Sequence, residues 1–259
     1  MNFLHRFLIP LLGCLLFEAK NAAPTNATES QTDFYAKKCQ FPHMALLKIS
    51  TGNKSHICGG SLVDDIHIIT AAHCFPKGWT FVDVSLGSTN SSVATATFHI
   101  NRTNVHLHKD FKTLNSSFLL YENDAAFLVL PRPINASKCI RPITMATHND
   151  TFYSSCFMVG WEINSSKANN TAVLKWENVN VLPDKDCGII AKQFGKRRIC
   201  ASDLHLHGGK EKCQGGEGGS LVCFTKDNRT VLAGFTSSEA VCQHGISVCN
   251  RVAYFFTEN

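Results

Sequence analysis

From Cys39 onward the chain is built of short apolar runs rich in β-branched and aromatic residues, broken about every 8 to 12 residues by Gly, Asn, Asp or Pro. Met44–Ile49, Ser61–Val63, Ile66–Ala71, Phe81–Leu86, Ala94–Ile100, Ala125–Leu130, Ser155–Gly160, Leu221–Phe224 and Val231–Thr236 each read as a strand. Runs this short and this evenly spaced predict an all-β sandwich or barrel. Only two segments read as helix, 184–194 and 250–257. Residues 24–38 are polar and aperiodic, which predicts a flexible lead-in.

The N-terminus follows a different pattern. His5 and Arg6 precede an apolar run from Phe7 to Phe17, and the small residues Ala19, Ala22 and Ala23 follow. That is the layout of a secretory signal peptide, here residues 1–22, and the run is too short to span a bilayer. A lead-in over 23–38 and a single domain over 39–259 follow. With 44% hydrophobic and 17% charged residues, the chain is neither disordered, collagen-like nor a coiled coil. Twelve cysteines without C-x-x-C pairs point to disulfides in an oxidising compartment. Signal removal takes Cys14 and leaves eleven, an odd number.

Asparagine usage supports the same compartment. Ten Asn-x-Ser/Thr sequons begin at Asn26, Asn53, Asn90, Asn101, Asn115, Asn135, Asn149, Asn164, Asn169 and Asn228. The Asn, Ser and Thr content would give about three by chance, so a secreted glycoprotein is expected.

The chemistry lies in separated motifs. Cys58-Gly59-Gly60-Ser61-Leu62-Val63 is followed by Thr70-Ala71-Ala72-His73-Cys74, then Glu122-Asn123-Asp124-Ala125-Ala126 and Val159-Gly160-Trp161. The last motif is Cys213-Gln214-Gly215-Gly216-Glu217-Gly218-Gly219-Ser220-Leu221-Val222-Cys223. In order and spacing this series resembles the trypsin/chymotrypsin-like serine proteases over residues 39–256. The resemblance implies two six-stranded antiparallel β-barrels packed face to face, an active-site cleft between them and a short C-terminal helix. It also implies a general base at His73, its orienting carboxylate at Asp124, and Ser237 bonded to that carboxylate.

The chain departs from the family where the reaction needs it most. Glu217 stands at the position of the nucleophilic Ser, and Gly216 at that of the Asp that receives the new N-terminus after activation. No Arg/Lys-Ile-Val-Gly-Gly precedes Phe41-Pro42. Loss of a triad nucleophile costs on the order of 10⁶ in kcat, about 8 kcal/mol. Gly215 and Gly216 therefore belong to a degenerate oxyanion and activation segment. In the expected pocket, Glu211 takes the place of the basal Asp of trypsin-like enzymes, followed by Lys212, while Ser238 and Glu239 replace Trp-Gly at the wall and Ser247 lies near a further pocket Gly. Glu217 is expected to pair with a protonated His73 and disable it as a base.

The same resemblance pairs Cys58 with Cys74, Cys156 with Cys223, Cys187 with Cys200, and Cys213 with Cys242. Of the remainder, Cys39 with Cys139 is the favoured tether, leaving Cys249 as a buried thiol or an intermolecular bridge. No cofactor or metal is expected: the Asp and Ser positions flank the imidazole on opposite sides, and the pairs His106/His108 and His205/His207 read as loop coincidences. Lys196-Arg197-Arg198 reads as a solvated loop, with an anionic glycan or a processing cut as its functional alternatives. Charge and aromatic placement argue against nucleic acid.

The sequence thus predicts a secreted, catalytically inactive homologue that binds an extracellular protein: a protease, an inhibitor or a receptor. It would act as a cofactor or decoy in a proteolytic, immune, reproductive or salivary setting. The alternatives are residual or altered endopeptidase activity and a glycan-coated shielding protein.

Overall fold

The computed structural model describes residues 35–114, 120–164, 171–187, 195–203, 216–237 and 246–256. All fall within one compact unit, Thr32–Asn259. The strands in chain order are β1 (Met44–Thr51), β2 (Lys54–Leu62), β3 (His67–Thr70), β4 (Phe81–Leu86), β5 (Ala96–Asn101), β6 (Val105–Leu107), β7 (Lys112–Leu114) and β8 (Leu120–Glu122). They continue with β9 (Ala126–Val129), β10 (Thr144–Met145), β11 (Phe152–Asn164), β12 (Thr171–Val181), β13 (Arg198–Asp203), β14 (Ser220–Thr225), β15 (Thr230–Thr236) and β16 (Ile246–Arg251). One helix, α1 (Val252–Phe256), follows.

The N-terminal sheet runs β5-β4-β1-β2-β3-β9-β6. Its end strands are consecutive in the chain, joined by a 3-10 turn at Arg102–Asn104. No pairing between β5 and β6 closes it among the described residues, so it forms a half-barrel sheet. The C-terminal sheet runs β15-β14-β11-β12-β13-β16 and closes through β15–β16 pairing, with β10 added in parallel outside β15. Both are otherwise antiparallel. β4 shows why: Phe81–Leu86 alternates half-buried with buried residues, the period-2 pattern that puts Val82, Val84 and Leu86 inside.

The main core runs continuously from Leu47, Ile68 and Val84 of the first barrel to Trp161, Leu174 and Phe235 of the second. Three polar contacts align the barrels. Trp161 Nε1 donates to Ala45 O at 3.0 Å, the hydroxyls of Ser61 and Ser220 meet at 2.6 Å, and Gly59 N donates to Glu217 O at 2.7 Å. These groups are buried or clamped, so each pairing avoids a desolvation cost of about 1–3 kcal/mol.

Two helix expectations are corrected. Asp184–Cys187 is a 3-10 turn, and the remainder expected at 188–194 lies outside the described residues. At the C-terminus Asn250 and Arg251 belong to β16, which pairs with both β13 and β15, and the helix begins only at Val252.

Candidate active site

His73 sits in a single 3-10 turn, Ala72–Cys74, at the end of β3. The turn is held by the Cys58–Cys74 disulfide to β2, and Thr70 Oγ1 donates to Gly59 O at 2.7 Å. Asp124 lies where β8 gives way to β9. Asn123 adopts φ +51, a left-handed conformation that Asn tolerates, and the turn directs the Asp124 carboxylate inward. That carboxylate is fully buried. Its Oδ1 accepts from His73 N at 2.8 Å, and its Oδ2 lies 2.8 Å from His73 Nδ1. Ser237 Oγ donates to Oδ2 at 2.5 Å, and Asn250 Nδ2 donates to Asp124 O at 2.6 Å. Asp124 of the first barrel, itself held by Ser237 and Asn250 of the second, thus fixes the imidazole in one orientation.

Glu217 reaches the other nitrogen of that ring. Its Oε2 stands 3.5 Å from His73 Nε2, an ion-pair distance longer than a hydrogen bond, and Nε2 has no hydrogen-bond partner. Gly216 and Gly218 flank it at φ +21 and +73. A Cβ at Gly216 would fall 2.3 Å from Trp161 O, and one at Gly218 would fall 2.4 Å from Gly59 O. Glycine is required at both points, and Gly218 N donating to Thr236 O at 3.1 Å fixes the loop.

The electrostatics follow from this geometry. Burial alone would lower the His73 pKa, but Asp124, and then Glu217, outweigh it and raise it to about 9. The imidazole is therefore a cation at neutral pH. Pairing with His73 holds the Glu217 carboxyl below its ordinary value. Tyr121 of β8 stacks on the imidazole with ring centroids 4.7 Å apart and planes 7° from parallel. Beneath it Arg198, only 4% exposed, donates from Nη2 to Tyr121 O and from Nη1 to Asn250 Oδ1. An aromatic face over the ring favours the imidazolium, and the buried Arg198 guanidinium favours the ionised Asp124 carboxylate.

Residues 33–257 match the family model described as trypsin. The chain belongs to the trypsin family. It is 28% identical to Trypsin-1 of Salmo salar over 198 residues, 74% of this chain and 76% of the relative. To Kallikrein 1-related peptidase b3 of Mus musculus it is 29% identical over 250 residues, covering 92% and 87%. Among solved structures HL collagenase superposes with a TM-score of 0.66 at 27% identity, over 86% of this chain and 94% of that one.

Within this trypsin-family frame, His73, Asp124, Glu217 and Ser237 converge, with Gly216 beside them. Gly215, Glu211, Lys212, Ser238, Glu239 and the pair Cys213/Cys242 lie outside the described residues, as do His205 and His207. Ser247 lies in β16 opposite Ala201. Disulfides join Cys39 to Cys139, Cys58 to Cys74, Cys156 to Cys223 and Cys187 to Cys200. Cys249 is a buried free thiol whose pKa burial pushes up to about 12. Cys58, His73 and Cys74 cluster closely enough for a metal, but both sulfurs are spent in the disulfide.

The basic triplet is not a solvated loop. Arg198 is buried, and Arg197 pairs with Glu122 at 3.3 Å while lying over the Tyr254 ring. Sequence reasoning missed Tyr121, Arg198 and Asn250 as site residues. The legible signal was their nearness in sequence to Asp124, Cys200 and Cys249. Of the sequons, Asn53, Asn101, Asn135, Asn149 and Asn228 are exposed, whereas Asn90 is half-buried and accepts Ser92 N at 2.8 Å. Asn26, Asn115 and Asn169 lie outside the described residues, as does the side chain of Asn164.

Proposed function

We propose that this trypsin-family chain is a secreted, glycosylated protein that does not hydrolyse peptides and acts by binding an extracellular protein partner, a protease, an inhibitor or a receptor. The observation that carries the reading is Glu217 at His73. A general base must be neutral at Nε2 and have a hydroxyl within reach; here Nε2 faces a carboxylate and the ring is held as a cation. The next serine in the chain offers no substitute. Ser220 is fully buried, with its hydroxyl on Ser61 and on Met44 Sδ at 2.9 Å.

Among the described residues, four disulfides and five exposed sequons support the oxidising, extracellular setting. Among the described residues no helix is long and apolar enough to cross a membrane. The test is turnover of peptide and ester substrates by the purified, glycosylated protein, alongside crosslinking in the native fluid. No turnover together with a recurrent crosslinked partner is the expected result. Turnover that disappears in Glu217→Ala would overturn the reading.

A further inference from the structure

The Cys39–Cys139 disulfide assembles a basic surface that neither chain segment displays alone. Each cysteine follows a lysine within a tight turn. In the first, Gln40 N donates to Lys37 O at 3.0 Å, Lys37 N donates to Gln40 Oε1 at 2.8 Å, and Cys39 takes φ +63. In the second, Ser137 N donates to Ile140 O at 2.7 Å and Ile140 N donates to Ser137 Oγ at 3.1 Å, with Lys138 and Cys139 at the tip. The bridge sets the two cysteine Cα atoms 4.3 Å apart, so the Lys38 and Lys138 Cα atoms lie within about 12 Å of each other. Arg141, two residues past Cys139, is bound to the first segment through its N–H to Pro42 O at 3.0 Å.

Lys37, Lys38, Lys138 and Arg141 are all exposed, and none has an ion-pair partner among the described residues. No Asp or Glu occurs anywhere in 35–63 or 125–149. The backbone brings Asp65 to Ile134, while Asp64 is already paired with His67. This is a local excess of four cations, three on two turns joined by the disulfide and Arg141 just beyond the second.

The geometry points to this surface as a docking site for a sulfated polysaccharide. Cations fixed on turn tips suit a linear polyanion with repeated sulfates, since lysine is a point charge on a flexible stem. Base stacking is disfavoured because Tyr35, the exposed aromatic nearest in sequence to the first turn, already carries Lys175 over its ring. The choice of sulfated glycan rests on the extracellular reading above, but its test needs neither secretion nor the hydrolysis result.

Binding of the full glycosylated chain to a heparin oligosaccharide is measured across a salt series, with a desulfated oligosaccharide, single-stranded DNA and anionic vesicles as comparators. Combined Lys37→Gln, Lys38→Gln, Lys138→Gln and Arg141→Gln should weaken heparin binding about tenfold or more and flatten its salt dependence by about three to four charges. Lys196→Gln with Arg197→Gln should leave binding unchanged. Cys39→Ser with Cys139→Ser keeps every charge yet should weaken binding, provided the variant remains folded by thermal melt. No heparin binding near physiological salt, or equal binding by the quadruple variant, overturns the proposal. So do desulfated oligosaccharide, DNA or vesicles binding as tightly as heparin.

Discussion

Replacing Glu217 by Gln removes one of the two charges that hold His73 protonated while leaving the side chain its length. The wild-type ring rises from 6.5 to about 9 against the pull of burial, which corresponds to ~3 kcal/mol of differential stabilisation. A group raised in the folded state contributes that stabilisation fully below 6.5, and loses it as pH climbs through about 9. Asp124 is fully buried, whereas the Glu217 side chain is 41% exposed and screened by solvent. Its share is therefore about 1 kcal/mol or less, so the His73 midpoint in Glu217→Gln should fall by somewhat less than one unit. Two-dimensional NMR of the imidazole Cε1–H signals gives the midpoint, and urea unfolding at pH 6, 7.5 and 9 gives the stability. A wild-type His73 midpoint at or below 6.5, or one that Glu217→Gln leaves in place, would refute the reasoning.

Other consequences follow from His43, Gly216 and Cys249. His43 is buried with Nε2 unpartnered, and desolvation lowers its pKa from 6.5 to about 4, so stability is full above 6.5 and falls by ~3 kcal/mol as pH drops towards 4. His43→Phe should flatten that acid limb in unfolding measurements, and wild-type stability should peak near pH 6.5, where the limbs of His43 and His73 meet. Gly216→Ala places a Cβ 2.3 Å from Trp161 O and should destabilise the protein by about 1–3 kcal/mol in thermal melts; an unchanged melting temperature would contradict the loop geometry. Cys249, with its thiol pushed up to about 12, should resist iodoacetamide in the native protein and react only after unfolding.

Much of this fold was legible because burial on one face leaves a period-2 trace. Phe81–Leu86 is read to the residue, and Val231–Thr236 misses only Thr230. β12 escaped because Lys175, Glu177 and Asn178 interrupt its apolar residues; the structure places the Lys175 ammonium over Tyr35 and buries Glu177. The C-terminal helix was begun too early since Asn250 is polar, yet its amide is consumed by Asp124 O and Arg198 inside the barrel. At the site, motif spacing located His73, Asp124 and Glu217. It could not indicate that Tyr121 would lie flat on the imidazole, or that the last residue of a basic triplet would be buried behind Asp124. Those placements depend on how two barrels meet. The cation cluster around Cys39 and Cys139 was hidden for the same reason, since its halves are 100 residues apart.

In the proposed function Glu217 takes the place of a nucleophile and leaves His73 a cation rather than a base. The most direct measurement treats the purified glycosylated protein with a reagent that phosphonylates activated serine hydroxyls, while peptide turnover is followed in parallel for wild type and Glu217→Ala. No covalent adduct and no turnover in either protein is the predicted result. Turnover by the wild type that Glu217→Ala abolishes, or a stoichiometric serine adduct on the wild type, would contradict it.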